Sequence, residues 1–281
     1  MPPTSCSFTC TSAPAEAREL VAPLVAREPI WLSVVASTIE ALATDPSRCA
    51  SPRWWVGRDL WGRAVAALMH TPPHPLHVGY ATDHQARALA RLLLAQGDSL
   101  PGVGGMRGPA EAFAAVWTAV RGGSARTATD LGVHVLPARP RLRFEVAGRY
   151  RRATLDDLDL TDRWAADFHA AVGTPGAPAS TRPAIEAGRL GLWLDDWDAP
   201  VSMAYASVAG AGVTRVSGVW TPPARRGRGY ASAVVAALSD ERMNDGETCL
   251  LYTDLANPTS NGIYRALGYR RVGDGVILVF E

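Results

Sequence analysis

Hydrophobic positions along the 281-residue chain switch between a spacing of about 3.6 residues and a spacing of about 2, the signatures of half-buried helices and strands. The first half predicts helices over 15–26 and 31–43, strands over 54–58, 64–70 and 76–80, a long helix over 83–96 opened by Asp83, and a helix over 111–120. The second half predicts a strand over 150–154 and a helix over 156–171 whose Leu160, Trp164, Phe168 and Ala171 share a face. A Gly/Pro/Ser loop follows, then a short helix around Ala184 and strands over 190–195, 201–209 and 213–220. A helix from Tyr230, a strand over 249–254, a helix from Asn257 and a strand over 276–280 complete the series. Between the halves, Pro137, Pro140 and the cluster Arg139, Arg141, Arg143, Arg149, Arg151 and Arg152 read as a solvated linker, which places a domain boundary near residue 145. The fold class is α/β, of the α+β kind, with domains 1–145 and 146–281.

A hydrophobic content of 47% supports packed cores, and a net charge of +1 supplies no footprint for nucleic acid or an anionic membrane. No apolar run is long enough to span a bilayer and no signal-like segment opens the chain, so a cytoplasmic location is expected. Cys6, Cys10, Cys49 and Cys249 form no CxxC pair, which argues against a zinc site or a disulfide framework; Cys249 reads as a core residue. His70, His74 and His77 have spacings a metal could use. The intervening Pro72, Pro73 and Pro75 favour a turn rimmed by histidines, and no metal is expected. Gly102–Gly105 reads as a strand-end bulge. Trp193, Asp195, Asp196, Trp197 and Asp198 read either as a receptor for a cationic amine or as an exposed turn. All 28 basic residues are arginine, which removes self-modification at lysine.

The chemistry concentrates at 219–231, where an apolar strand enters the turn Arg225-Arg226-Gly227-Arg228-Gly229 and then a helix. The first N–H groups of a helix lack intrahelical partners and carry the positive end of its dipole, so such a turn binds phosphate. Gly227 and Gly229 clear side chains from those N–H groups, while Arg226 and Arg228 add charge. Downstream, Asn257-Pro258 opens a helix on which Ser260, Asn261 and Tyr264 follow at three, four and seven residues, one neutral hydrogen-bonding face.

The Arg226-x-x-Gly229-x-Ala231 turn resembles the pyrophosphate loop of the GNAT superfamily of N-acetyltransferases, and Asn257 to Tyr269 resembles that family's second signature. The resemblance covers the whole second half and implies two tandem GNAT-like domains, each a mixed, mainly antiparallel sheet flanked by helices. It assigns Arg226, Gly227, Arg228, Gly229, Tyr230, Ala231, Asn257 and Ser260 to acetyl-coenzyme A, with the strand edge Val219, Trp220 and Thr221 on its pantetheine arm. Tyr264 would protonate the leaving thiolate as general acid, and Asp254, at the end of its strand, is a candidate base.

The first half resembles a degenerate copy, structural or acceptor-binding. Its counterpart turn, Tyr80-Ala81-Thr82-Asp83-His84-Gln85, has no glycine and carries an acid. Thr71-Pro-Pro-His-Pro-Leu76 matches a group of predicted acetyltransferases with a degenerate first copy. The implied function is acetyl transfer from acetyl-coenzyme A to a primary amine of a small molecule or peptide, in a ternary complex. A non-catalytic acyl-coenzyme A sensor, or transfer of a different acyl group, is the alternative. The oligomeric state is not readable.

Overall fold

The structure, a computed structural model, describes residues 6–173 and 180–281; the middle of the expected Gly/Pro/Ser loop, 174–179, lies outside the described residues. The first half runs β1 (Ser7–Thr11), α1 (Pro14–Arg27), α2 (Ser33–Thr44), β2 (Arg53–Arg58), β3 (Ala64–His70), β4 (Leu76–Tyr80), α3 (Asp83–Ala95), β5 (Gly102–Met106), α4 (Arg107–Arg121) and β6 (Ala125–Val135). The second repeats that series as β7 (Arg149–Arg152), α5 (Leu158–Val172), α6 (Arg182–Glu186), β8 (Leu190–Leu194), β9 (Pro200–Ala206), β10 (Val213–Trp220), α7 (Tyr230–Asn244), β11 (Thr248–Asp254), α8 (Pro258–Leu267) and β12 (Arg270–Phe280). Two strands, β1 and β6, were not expected from the sequence. Helix α4 starts a turn earlier than expected because Pro109 falls in its first turn, where the N–H it lacks would have no partner.

All twelve strands form one sheet, in the order β1-β2-β3-β4-β5-β12-β6-β11-β10-β9-β8-β7. Each half contains one parallel pair, with Leu76–Val78 of β4 opposite Val103–Gly105 of β5 and Val213–Arg215 of β10 opposite Thr248–Leu250 of β11. Beside these pairs the halves exchange their last strands. β12 runs antiparallel to β5, and β6 runs antiparallel to β11, while β6 and β12 pair with each other at the centre. The two expected sheets are therefore one, and Val276 and Leu278, near the end of the chain, are buried in the core of the first half.

Helices cover both faces. On one side α1 and α2 pack on Trp54, Val56, Ala67 and Met69, with α5 and α6 doing the same over β8 and β9. On the other, α3 and α4 bury Phe113 and Trp117 against β2–β5, and α7 and α8 cover Val216, Cys249 and Leu251. Cys249 is the expected core residue, its thiol pushed up to about 12 by burial.

Two expectations change, and a third segment takes one of its two expected forms. Gly102–Gly105 is no bulge: it lies in β5, where Gly102 and Gly105 let neighbouring strands close in, since a Cβ there would fall 2.1 Å from the Leu278 and Val78 carbonyl oxygens. The arginine-rich joint is not a free linker. Arg139 reaches Asp240 of α7 at 3.1 Å, Arg149 reaches Asp198 at 2.8 Å, Arg151 reaches Asp157 at 2.7 Å, and the Arg141 N–H donates to Leu267 O at 3.3 Å. Each exposed pair contributes little alone, but together they lay 137–152 along the second half. Finally, the 193–198 segment is a hairpin turn. Asp195 is buried and accepts the Trp197 and Ala199 N–H groups at 3.1 Å, Trp193 donates to Ala147 O at 2.9 Å, and Asp196, Trp197 and Asp198 stand exposed.

The strand exchange predicts a long-range effect of Leu278→Ala. Deleting that side chain should cost about 2–5 kcal/mol in urea unfolding. Hydrogen exchange should show the loss in α3 and β5, far away in sequence; protection lost only in α7 and α8 would contradict the assignment of Leu278 to the first core.

Candidate functional site

The β10–α7 connection builds the centre of the site. Gly229 is the N-cap of α7 at φ +83°, and Gly227 lies at φ +77°, both in the left-handed region. No side chain caps this helix. Among the described residues the N–H groups of Gly227, Arg228 and Gly229 meet no protein acceptor, and the first turn of α7 adds its own unpaired N–H groups. The strand end is held from behind. Ser202 Oγ donates to Trp220 O at 3.0 Å and lies 2.8 Å from Thr221 Oγ1, and Arg226 Nε donates to Thr221 O at 3.0 Å. The Arg226 guanidinium lies 5.0 Å from the Trp220 ring centroid. Arg226 and Arg228 are exposed, while the Tyr230 ring is buried in the α7 core, leaving only its backbone facing the turn.

Beside this turn the sheet splits. Parallel pairing of β10 and β11 ends at Arg215 and Leu250. β11 continues against β6 through Asp254, whereas β10 leans toward β9 through a register shift between Ser217 and Trp220. Gly218 permits the bend, at φ +58° and with a would-be Cβ 1.8 Å from the Tyr205 ring. The result is a V with Val219, Trp220 and Thr221 on one arm and Asp254 on the other.

Helix α8 closes one side of the V. Asn257 caps it, accepting the Ser260 N–H at 3.1 Å, and Pro258 takes the first position. Asn261 turns back, donating to Asp254 O at 3.0 Å and Leu255 O at 3.3 Å, so it secures the β11–α8 turn and leaves the expected polar face to Ser260 and Tyr264. Tyr264 packs edge-on against Tyr269 at 6.0 Å, and Tyr269 is fixed by Ser239 at 2.7 Å. The Tyr264 hydroxyl has no protein partner among the described residues, and burial pushes its pKa up to about 12. Asp254 is exposed and accepts the Ala256 N–H at 2.8 Å, a turn cap.

Residues 190–276, from β8 into β12, match the FR47-like protein family and contain both motifs. No curated protein matches the chain. An acetyltransferase of the GNAT family from Colwellia psychrerythraea is 13% identical, with a TM-score of 0.59 over 98% of this chain and 100% of its own. The GNAT fold is what they share. A GCN5-related N-acetyltransferase from Sphaerobacter thermophilus has a TM-score of 0.60 and 17% identity over 96% of this chain and 94% of its own. A tandem GNAT protein from the clavulanic acid biosynthesis pathway has a TM-score of 0.54 and 12% identity over 98% of this chain and 97% of its own.

Within this GNAT fold the two halves differ where it counts. The first-half turn is closed on itself: Thr82 Oγ1 accepts the Gln85 N–H at 3.3 Å, Gln85 Oε1 accepts the Thr82 N–H at 2.8 Å, and Asp83 opens α3. The capping box takes up the Thr82 and Gln85 N–H groups, and Asp83 adds a negative charge. His70 and His77 have buried ring nitrogens without partners, and among the described residues no group of His, Cys, Asp and Glu is arranged around a metal.

Two features at the site escaped the sequence. Phe144 and Val146 of the joint sit against the β10–α7 turn, so that a Cβ on Gly229 would lie 2.7 Å from the Phe144 ring. On the face of β10 opposite α7 lie Arg215, Tyr205 and Tyr252. The first feature predicts that Gly229→Ala destabilises more than Gly227→Ala. Both incur the left-handed penalty of about 1–2 kcal/mol. The Gly227 Cβ would meet nothing within 4 Å, whereas Gly229→Ala adds a clash, and denaturant unfolding of both variants measures the difference.

Proposed function

We propose that the protein transfers an acetyl group from acetyl-coenzyme A to a primary amine by direct attack in a ternary complex. One observation carries this reading. The unpaired N–H groups of Gly227, Arg228 and Gly229 open beside a V of diverging strands, and the partnerless hydroxyl of Tyr264 stands on the helix that flanks the same V. A diphosphate fits such donors: they are convergent, uncapped, flanked by Arg226 and Arg228, and free of any nearby carboxylate in the turn.

Acetyl-coenzyme A would bring an activated thioester, and the chain supplies placement and proton transfer. Gly227 to Ala231 hold the diphosphate, and the edge of Val219, Trp220 and Thr221 orients the arm in the manner of an added strand. Asn257 and Ser260 line the mouth of the V. Tyr264 donates a proton to the leaving sulfur; a phenol with a raised pKa remains protonated over the whole working range. Asp254, exposed at the end of β11 with one oxygen free of the cap, takes the amine proton directly or through water. The first half, with its turn self-capped, binds no second coenzyme.

Calorimetry with acetyl-coenzyme A and thiol release with a panel of amines test this together. Tyr264→Phe should keep the dissociation constant and lower kcat by about 10²–10⁴-fold. Because the Tyr264 pKa is raised from 10 to about 12, the acid form is lost only near the upper value, so kcat should show no descending limb at pH 10. Binding without thiol release from any amine would favour the sensor instead; full turnover by Tyr264→Phe would remove the acid role.

A further inference from the structure

The face of the V away from α7 and α8 is formed by both halves. Side chains alternate along β10, so Val216 enters the α7 core while Arg215 points to the opposite side, at the root of the V where pairing with β11 ends. There the first half closes over it: Ile30 and Trp31 pack with Val133, Val213, Leu250 and Tyr252, and Ser37 of α2 lies 3.5 Å from the Arg215 guanidinium.

Arg215 has no carboxylate partner among the described residues. The titratable groups beside it are the phenols of Tyr205 and Tyr252, which burial keeps un-ionised, and burial pulls its own pKa down. Other groups on this face are equally unsatisfied. His77 Nε2 and Ser33 Oγ are buried without partners; Tyr252 approaches Ser33 without the geometry of a full hydrogen bond. His77 is held neutral, its pKa pushed down to about 4 by burial and by Arg215, so it adds no second charge beside the guanidinium. Trp31, His77, Val133 and Tyr252 line a cavity of about 10 Å³, room for one water. At the root of the V, a cation flanked by two phenols and a serine hydroxyl, with no carboxylate among the described residues to neutralise it, describes a receptor for a small anion.

We propose that Arg215 binds a carboxylate of the acceptor, so that the acceptor is a primary amine that also carries an acid, as amino acids do. This rests on the acetyl-transfer reading above and names its substrate class. The carboxylate is planar and matches the guanidinium fork. Anchored at the root of the V, it leaves the amine free to reach toward the mouth from the face opposite Tyr264. The acceptor therefore enters on one side of the sheet and the thiol leaves on the other.

The experiment pairs each amino acid with its carboxamide, measuring thiol release at saturating acetyl-coenzyme A for the wild type, Arg215→Met and Arg215→Lys. The acid of a pair should have at least a tenfold higher kcat/KM in the wild type. Arg215→Met should raise KM for the acid by about tenfold to hundredfold and leave the amide and acetyl-coenzyme A binding unchanged, with Arg215→Lys intermediate. Equal use of acid and amide by the wild type, or an unchanged preference in Arg215→Met, overturns the proposal. Thermal-shift titration with N-acetyl amino acids and N-acetyl amino amides reads the same selectivity without turnover. Stabilisation by the acids alone, lost in Arg215→Met, supports the anion site even if no amine in the panel releases thiol, a result that would count against acetyl transfer only. Equal or absent stabilisation overturns the anion site. Melting of the unliganded variants adds a control: a functional cation predicts that Arg215→Met melts no lower than the wild type, and a purely structural one predicts a loss.

Discussion

The β6–β12 ladder at the centre of the sheet is the constraint on which the site depends. It is antiparallel and spans nearly the full length of both strands, from Arg270 opposite Val135 to Phe280 opposite Ala125. Each strand's other edge pairs with the half to which its sequence neighbours do not belong. Sliding one half along the other would break the ladder register and move buried side chains to the wrong face, so the halves have a fixed relation. That relation seats Trp31 against Gly273, whose would-be Cβ lies 2.3 Å from the indole, and α2 against the β9–β10 loop, where a Cβ on Gly210 would lie 2.5 Å from Ala36. A first half with no free phosphate turn thus still forms a wall of the second half's cleft.

The same topology yields a closed turn in one half and an open one in the other, and the difference is local. In the first, Thr82 and Gln85 satisfy one another and the helix begins with a capping box. In the second, Gly229 offers no side chain, and its left-handed backbone turns the N–H groups outward. Strand geometry follows the same split. Gly105 brings β5 against the Val78 carbonyl and keeps the first pair tight, while Gly218, filled by the Tyr205 ring, bends β10 away from β11. Glycine serves opposite ends in the two copies because what replaces the missing side chain differs, a neighbouring backbone in one and an aromatic ring in the other.

Local signals were legible in the sequence, and pairings were not. Strands β3, β4 and β10 fall at their expected bounds, because β-branched and apolar residues alternate between clear turn residues. β6 was missed because most of its first half is exposed and polar, with no buried face to set a period of two. The exchange of β6 and β12 has no signature in either segment, since a strand's partner is a property of the assembled sheet. The arginines of the joint read as solvated because their partners, Asp240, Asp157 and Asp198, lie in elements remote from most of them in the chain. In the candidate site, the open glycine turn and the α8 cap were readable because each is contiguous, and the inward turn of Asn261 was not.

Arg215 shows why the rest was hidden. In the sequence it is one basic residue in a strand of alternating character, and nothing in its neighbourhood marks it as unpaired. Its meaning comes from the absence of an acid on four separate elements, α2, β4, β9 and β11, that meet only when the ladder is complete. A partly buried cation without a counter-ion is costly to keep, and an apolar residue of similar volume would pack there with less penalty. The alternating register makes that cost informative. One residue along β10 in either direction would send the charge into the α7 core; at 215 it faces α2 of the first half, with Ser37 at 3.5 Å and the phenols of Tyr205 and Tyr252 beside it. On the proposed reading the sheet sets Tyr264, the proton donor to the thiol, on one face and Arg215, the anchor of the acceptor, on the other, with the V between β10 and β11 joining the two faces.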